Sequence, residues 1–438
     1  MPDRYAKFEP VAILSAGWAL LLAYAYPGTL TFDSIDELIQ ARAGIYRDDH
    51  PPVVAALWRL VEHVVAGPFG MLALQSLAFV VGLYLIFRRT FTPRGAALAA
   101  TLLLLFPPVF APLTAIWKDS LMAGFLVLGI GALLTESRRW RVVGAVALAV
   151  ATAMRFNAAA ATLAPLVLLF SWGLVGWRRY AVATTVWLAT VVAAFGVNSA
   201  LADRQAYGWH TTLAIYDIVG TLAHVDEAIP DAKLVELLDG SKLLVTRDIQ
   251  ATARTIYDPR NYLTPVTDPQ HAFWHFSLRN DEPVTEAFRT AMSRTWTFLV
   301  ASYPRAYLAH RFATMEKVVD SDTGTPWRGA AQRELRAQMG LANGANAGQM
   351  AVYRKLVKFE RSTHLFSPWI YLLVALILLG IAFQRDVLAL LMSGLMYEGT
   401  LLVFAASRDY RYSHWLVTAC CIAVVTLTAR RARAKVRA

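Results

Sequence analysis

Carboxyl side chains gather in two short stretches soon after the first apolar run of the chain. One stretch reads TFDSIDE, and the other reads DDHPP and leads directly into the apolar run VVAALW. A carboxylate beside a substrate hydroxyl can accept its proton, and a neighbouring carboxylate can raise its pKa and make it a stronger base. The residues that could do this chemistry are Asp33, Asp36, Glu37, Asp48 and Asp49, with His50 beside them.

Basic side chains stand in three later turns between apolar runs. A charge near a bilayer costs a few kcal/mol, so residues of this kind usually have partners or a function. Arginines near tyrosines also favour a phosphate site, because charge-assisted hydrogen bonds to phosphate are strong. The three turns contribute Lys118 with Asp119, Arg155 with Asn157, and Arg408, Arg411 and Tyr412 of the RDYRY stretch.

The acidic residues also have purely structural interpretations, which the sequence alone leaves open. Asp33 could cap a helix over residues 34–43, because aspartate is a favoured N-cap. Asp48 and Asp49 could form a solvated turn, and His50 could be a hydrogen-bonding spacer rather than a base.

The same holds for the cationic turns. Lys118 and Asp119 could form a neutral pair that caps the following helix, and Arg155 could extend to lipid headgroups, as could the arginines of RDYRY.

Other chemistries lack their usual signatures. The sequence contains no Walker loop, no HExxH and no GxSxG, and no GxGxxG opens a helix after a strand. The two cysteines, Cys420 and Cys421, are adjacent in an apolar run, so they offer neither a disulfide framework nor a metal spacing.

Composition predicts a polytopic membrane protein. Of the 438 residues, 57% are hydrophobic and only 17% are charged, against about 25% charged residues in a typical soluble protein. The net charge of +11 lies largely in short arginine clusters between apolar runs. Because cytoplasmic loops collect arginine, this pattern predicts membrane orientation rather than nucleic-acid binding.

The apolar runs predict about ten membrane-spanning helices with both termini in the cytoplasm. The N-terminal run has features of a signal peptide, but its length favours an uncleaved first span. We place the spans at residues 10–27, 67–87, 94–113, 119–136, 141–156, 158–176, 181–201, 365–384, 386–406 and 414–430.

This threading divides the chain into three parts. Residues 1–201 form an N-terminal transmembrane module, and its first outer loop, 28–66, carries both acidic stretches. Residues 202–364 form a mainly helical outer segment, and residues 365–438 form a C-terminal module with a basic cytoplasmic tail. Within the first loop, residues 53–66 have apolar positions at helical spacing and predict an amphipathic helix at the membrane surface.

The acid after the first span, followed about fifteen residues later by an acidic-His-Pro-Pro element, resembles the GT-C superfamily of glycosyltransferases. The likeness is to the branch with protein O-mannosyltransferases and lipid A aminoarabinose transferases. It covers roughly the first 160 residues and carries its first acid at Asp33 and its second at Asp48, with Asp49 as the adjacent alternative. Two features depart from the pattern of that family. Where the family usually has two adjacent acids, this sequence has Asp33-Ser34, and Asp36 and Glu37 follow only later. The large outer segment precedes the eighth span, whereas the best-known relatives carry their outer domain at the C-terminal end.

The resemblance implies an inverting transfer of sugar from a polyprenyl-phosphate donor at the outer face. Asp33, aided by Asp48 or Asp49, would take the acceptor proton, and the basic residues Lys118, Arg155, Arg408 and Arg411 would bind the donor phosphate. Asp36, Glu37, His50, Asp119, Asn157 and Tyr412 would support them. The acceptor would be a glycan, a lipid or a protein, and a divalent metal fits the carboxylates without being required.

Two other functions remain open. A flippase or transporter for a lipid-linked sugar would need the same phosphate site, and it would more often contain interrupted helices near mid-membrane. The sequence offers one candidate interruption of this kind, FPPVF at residues 106–110. An O-antigen polymerase or ligase would use histidines of the long outer loop, here His210, His224, His271 and His275. The composition favours a bacterial inner membrane, with the site facing the periplasm.

Overall fold

We analysed a computed structural model of the chain, which describes residues 2–169, 173–263, 284–328, 333–341 and 344–437. The described residues are mainly helical, and their β-structure consists of three isolated bridges. The prediction of an all-α protein is confirmed. His271 and His275 lie outside the described residues.

The N-terminal module consists of helices that follow the predicted apolar runs. In chain order they are α1 (Pro2–Ala25), α2 (Phe32–Ala43), α3 (Pro52–Glu62), α4 (Phe69–Arg88), α5 (Pro93–Leu104), α6 (Pro107–Leu113), α7 (Lys118–Leu133), α8 (Arg138–Met154), α9 (Ala159–Leu169) and α10 (Trp177–Leu201). The predicted third span, 94–113, is a pair of helices, α5 and α6, bent by 71° at the break. Pro107 and Pro108 explain the break, because a proline disfavours helical backbone in the residue before it.

The outer segment and the C-terminal module follow. A short π-helical turn, Trp209–Ala214, leads into α11 (Ile215–His224), α12 (Asp231–Leu237), α13 (Ile249–Ile256), α14 (Glu286–Ser302), α15 (Pro304–Val319), α16 (Arg333–Gln338) and α17 (Ala347–Ser362). The last helices are α18 (Pro368–Ile381), α19 (Arg385–Phe404) and α20 (His414–Arg437), with a 3₁₀ turn, Tyr410–Ser413, immediately before α20.

Five helical stretches of the described chain are long and apolar enough to cross a membrane. They are Phe8–Ala25, α4, α10, α19 and Tyr410–Lys435, and the bent pair of α5 and α6 raises the number to six if it forms one span. Helices α9 and α18 are apolar but shorter. The protein is therefore an all-α, multi-pass membrane protein.

The predicted amphipathic segment, 53–66, forms a shorter helix, α3, with Pro51 as its N-cap and Pro52 in its first turn. It buries Val54, Ala55 and Trp58. The helix ends at Glu62, whose carboxylate accepts a hydrogen bond from the backbone N–H of Gly67 at 3.1 Å. This contact closes the turn that leads into α4.

One hydrophobic core joins the two transmembrane modules. It includes residues of α1 and α4 such as Leu21 and Phe79, together with Leu390 of α19 and Leu416 of α20. Helices α4 and α7 approach so closely that a Cβ on Gly82 would lie 2.4 Å from the backbone nitrogen of Leu128. Small residues allow this approach in membrane proteins, where close packing contributes much of the helix association.

The outer segment has a second core and a buried polar centre. Asp217 of α11 accepts hydrogen bonds from Trp296, His310 and Arg311 at 2.8, 3.1 and 3.0 Å. Arg311 also donates to the backbone oxygen of Leu402 in α19 at 2.8 Å. This buried network attaches the outer segment to the C-terminal module.

Candidate functional site

An isolated backbone bridge between Thr29 and Ala115 brings the first loop to the segment before α7. The Thr29 N–H donates to the oxygen of Thr114 at 3.1 Å, and the Ile116 N–H donates to the oxygen of Thr29 at 3.0 Å. Since Thr29 lies three residues before α2 and Ile116 lies two residues before α7, the bridge places the starts of these helices side by side. Asp33 and Lys118 lie in their first turns.

Asp33 is one centre of the resulting charge cluster. Its Oδ2 atom lies 2.7 Å from a guanidinium nitrogen of Arg411 and 3.9 Å from Nζ of Lys118. The cap of α2 is Thr31, whose backbone and hydroxyl bond the Ser34 hydroxyl at 3.1 and 3.0 Å. The alternative that Asp33 caps a helix beginning at residue 34 is wrong, because the helix begins at Phe32 and Asp33 lies in its first turn.

The two cations keep Asp33 ionised. Burial alone would raise the pKa of Asp33, but the charges of Arg411 and Lys118 outweigh it and hold the pKa well below its ordinary value. The side chain is still 24% exposed, so a ligand can approach the carboxylate. Asp33 is thus an anion at neutral pH that can accept a proton when its cations turn to another partner.

Glu37 lies one helical turn after Asp33, and its pKa is shifted in the opposite direction. Its side chain is buried, and no described group hydrogen-bonds its Oε1 atom, although Nζ of Lys118 is 4.0 Å away. Burial raises the pKa of Glu37 to about 8, despite the opposing charge of Lys118. Neighbouring carboxylates were expected to raise one pKa; here the raised group is Glu37, and burial is the main cause.

Lys118 also bonds His50. Its Nζ lies 2.7 Å from Nδ1 of His50, and a charged ammonium can only donate, so Nδ1 is the acceptor. Burial and then the charge of Lys118 lower the pKa of His50. His50 is therefore neutral and orients Lys118, which agrees with the spacer interpretation.

Arg47 holds two further carboxylates of the first loop, those of Asp36 and Asp49. Its guanidinium lies 2.6 Å from Asp36 and 3.1 Å from Asp49. One ligand atom each of Asp36, Asp49 and His50 lies within 4.8 Å of the others, a spacing that could hold a divalent ion. Because Arg47 already pairs with both carboxylates, an ion there would compete with its guanidinium.

Asp48 faces a different partner from Asp49. Its Oδ1 accepts hydrogen bonds from the backbone N–H groups of Ala206 and Tyr207, the latter at 3.0 Å. It therefore fixes the first loop to the chain that follows α10. Asp48 and Asp49 do lie in a partly exposed turn before Pro51, but both side chains have partners in the protein, since Asp49 pairs with Arg47.

The cationic turns form the other side of the cluster. Arg155 pairs with Asp119 and lies over the Tyr412 ring at 5.2 Å. Arg411 lies 5.4 Å from the centre of the same ring and 5.2 Å from that of Trp117. Two alternatives that the sequence left open, a Lys118–Asp119 pair and an Arg155 side chain that extends to lipid headgroups, are wrong. Lys118 bonds His50, and Arg155 pairs with Asp119 inside the protein.

The remaining predicted residues lie at the edges of this arrangement. Asn157 donates to the Thr400 hydroxyl at 2.8 Å and accepts from Arg155 at 3.3 Å. Arg408 pairs with Asp322 of the outer segment instead of with the Asp33 cluster. His210 bonds Ser293 at 3.0 Å, and His224 bonds the oxygen of Gly220 at 2.7 Å, so both have partners within the outer segment.

Sequence reasoning missed Arg47 and Trp117. Arg47 directly precedes Asp48, and a basic residue beside clustered acids could have indicated an internal pair. Trp117 donates through Nε1 to the Thr31 hydroxyl at 2.9 Å and lies under Arg411. Its role depends on the bridge between two distant loops, which no local pattern predicts.

The cluster can thus combine an ionised carboxylate, a neutral buried carboxylic acid and two cations within one region. These groups could hold an anion and accept or return protons beside it. No protein-family model, curated protein or solved structure matches this chain.

Proposed function

We propose that this protein is an inverting, membrane-bound glycosyltransferase that uses a polyprenyl-phosphate sugar as donor. The observation that carries the proposal is the position of ionised Asp33 between Arg411 at 2.7 Å and Lys118 at 3.9 Å. The acceptor is a glycan, a lipid or a protein. Ten crossings, with both termini in the cytoplasm of a bacterial inner membrane, would place this cluster at the periplasmic face.

The reaction uses both kinds of charge. The acceptor hydroxyl attacks the anomeric carbon and forms the new glycosidic bond, while the bond from that carbon to the phosphate oxygen breaks. The electron pair leaves with the lipid phosphate, whose charge Lys118 and Arg411 stabilise. Asp33 takes the hydroxyl proton, because binding of the phosphate draws Arg411 and Lys118 away and raises its proton affinity.

The test is release of free lipid phosphate from radiolabelled polyprenyl-phosphate sugars by the purified protein. General-base catalysis typically contributes about 10²–10⁴-fold to the rate, so the Asp33→Asn protein should turn over donor at least about 10²-fold more slowly than the wild type. Asp258→Asn is the matched control, because Asp258 pairs with Arg260 in the outer segment. Wild-type turnover in a folded Asp33→Asn protein would refute the assignment of the base.

A flippase for a lipid-linked sugar is the second candidate. The observation in its favour is the 71° break between α5 and α6, since transporters often contain interrupted helices. Donor that crosses a vesicle membrane without release of its phosphate would favour this function. Cleavage that depends on Asp33 would favour the transferase.

A further inference from the structure

A cavity of about 600 Å³ lies between the ends of several apolar helices. Its walls include the C-terminal ends of α7 and α9 and the N-terminal end of α19. Five arginines line it together with two acids, Glu136 and Asp386. They are Arg89, Arg141, Arg179, Arg385 and Arg430.

This cavity lies at the opposite end of the helices from the Asp33 cluster. Helix α7 begins at Lys118 and ends beside the cavity at Leu133, a length of about 24 Å at 1.5 Å per residue. Helix α19 begins beside the cavity at Arg385 and ends near the RDYRY turn. Since whole helices separate the two sites, the cavity is not a part of the Asp33 cluster.

Two of the arginines, Arg89 and Arg179, are held by the ends of helices. Arg89 and Arg179 each donate to a helix-end carbonyl, those of Leu134 and Leu168, at 2.9 and 2.6 Å. A guanidinium has five N–H donors, so one such contact holds it in place and leaves others for a ligand. In the described chain, the buried Nε of Arg179 has no hydrogen-bond partner.

The charge of the cavity selects an anion. Five arginines and two acids leave an excess of three positive charges. The pair of Arg430 with Asp386 accounts for one acid. A phosphate group, which accepts several charge-assisted hydrogen bonds from arginine, fits such a lining.

The surroundings of the cavity select a lipid as the carrier of that phosphate. Leucines of α7 and α9 form part of its wall. Arg179 lies in the first turn of α10, and only 11% of the most apolar part of that helix is buried inside the protein. Trp140, Trp177 and Tyr180 are exposed at this same end, as expected for an aromatic belt at headgroup level.

We propose that this arginine-lined cavity binds the phosphate of an anionic glycerophospholipid, whose acyl chains lie along α10. Basic pockets between membrane helices on the cytoplasmic side bind such headgroups, and the arginine-rich ends are the predicted cytoplasmic ends. The inference goes beyond sugar transfer and does not rest on it.

The experiment measures thermal stabilisation of the full chain in detergent by added phosphatidylglycerol, with phosphatidylcholine as the zwitterionic comparison that has no net charge. The triple variant Arg89→Gln/Arg179→Gln/Arg385→Gln removes three lining charges. The matched control Arg88→Gln/Arg178→Gln/Arg431→Gln removes three arginines at the same end that are not in the lining. Arg385→Gln alone serves if the triple variant does not fold.

We expect phosphatidylglycerol to stabilise the wild type and the control triple variant. The cavity triple variant should need roughly a hundredfold more lipid, and Arg385→Gln roughly fivefold more, since each interfacial arginine contributes about 1 kcal/mol. Equal effects on the cavity and control variants would overturn the proposal. So would equal stabilisation by inorganic phosphate, which indicates a soluble anion, or a preference for polyprenyl phosphate over phosphatidylglycerol.

Discussion

Replacement of Glu37 by glutamine tests the electrostatics of the charge cluster without any knowledge of the substrate. In the unfolded chain a glutamate titrates near 4.5, whereas in the folded protein burial raises the pKa of Glu37 to about 8. Between these values the unfolded chain is ionised and the folded protein holds a proton, so stability falls as pH rises. Above pH 8 the loss is complete.

The size of the effect follows from the two pKa values. At 1.36 kcal/mol per pH unit, the buried carboxyl destabilises the fold by about 3 kcal/mol at pH 7 and by about 5 kcal/mol at pH 9. Glutamine has nearly the shape of the protonated acid and does not titrate. Glu37→Gln should therefore melt at a higher temperature than the wild type at pH 9, and the difference should vanish towards pH 4.5.

The measurement is the apparent melting temperature of both proteins in detergent between pH 5 and pH 9. Glu62→Gln is the control. Glu62 accepts hydrogen bonds from Arg42 and Gly67, so the protein should become less stable when the charge of Glu62 is removed. A Glu37→Gln protein that melts below the wild type at pH 9 would show an ionised carboxylate paired with Lys118. Burial would then not be the dominant influence on the pKa of Glu37.

Three further predictions follow from individual contacts. Arg411→Lys should reduce donor turnover at least tenfold, as measured by initial rates with the radiolabelled donor. The ammonium of lysine is a point charge and cannot reproduce both the ion pair with Asp33 and the contacts of the planar guanidinium with the Trp117 and Tyr412 rings. Asp48→Asn should lower the melting temperature, because it weakens the hydrogen bond that anchors the first loop to Tyr207 after α10. The folded fraction of this variant should retain most of its turnover. Gly220→Ala should destabilise the fold by about 1–3 kcal/mol in denaturant melts, because the added Cβ would lie 2.1 Å from Nδ1 of His310. Asp217 holds that ring in place. An unchanged free energy of unfolding would show that the ring moves aside.

The apolar pattern was sufficient to locate the helices of the transmembrane modules, because burial and length are properties of local stretches. Composition alone treats a broken and a straight apolar run alike, so the third predicted span was drawn as one run; the prolines of FPPVF, residues 106–110, mark the place where it bends. The charged residues show the same limit. The types and spacing of Asp33, Lys118 and Arg411 predicted a charge cluster, but the partners of each depend on bridges between distant loops. Local sequence could not separate Asp48, an anchor to the backbone, from the adjacent Asp49.

The ion pair of Asp33 with Arg411 joins side chains 378 positions apart in the chain. A ribosome that has delivered the first loop to the membrane must still produce nearly all of the remaining helices before this partner emerges. Until then Asp33 can pair with Lys118, but its carboxylate lacks the second of the two cations that hold it charged. The charge cluster is thus completed by a late part of the chain, so a chain interrupted before Arg411 carries Asp33 with only one of its two counter-charges.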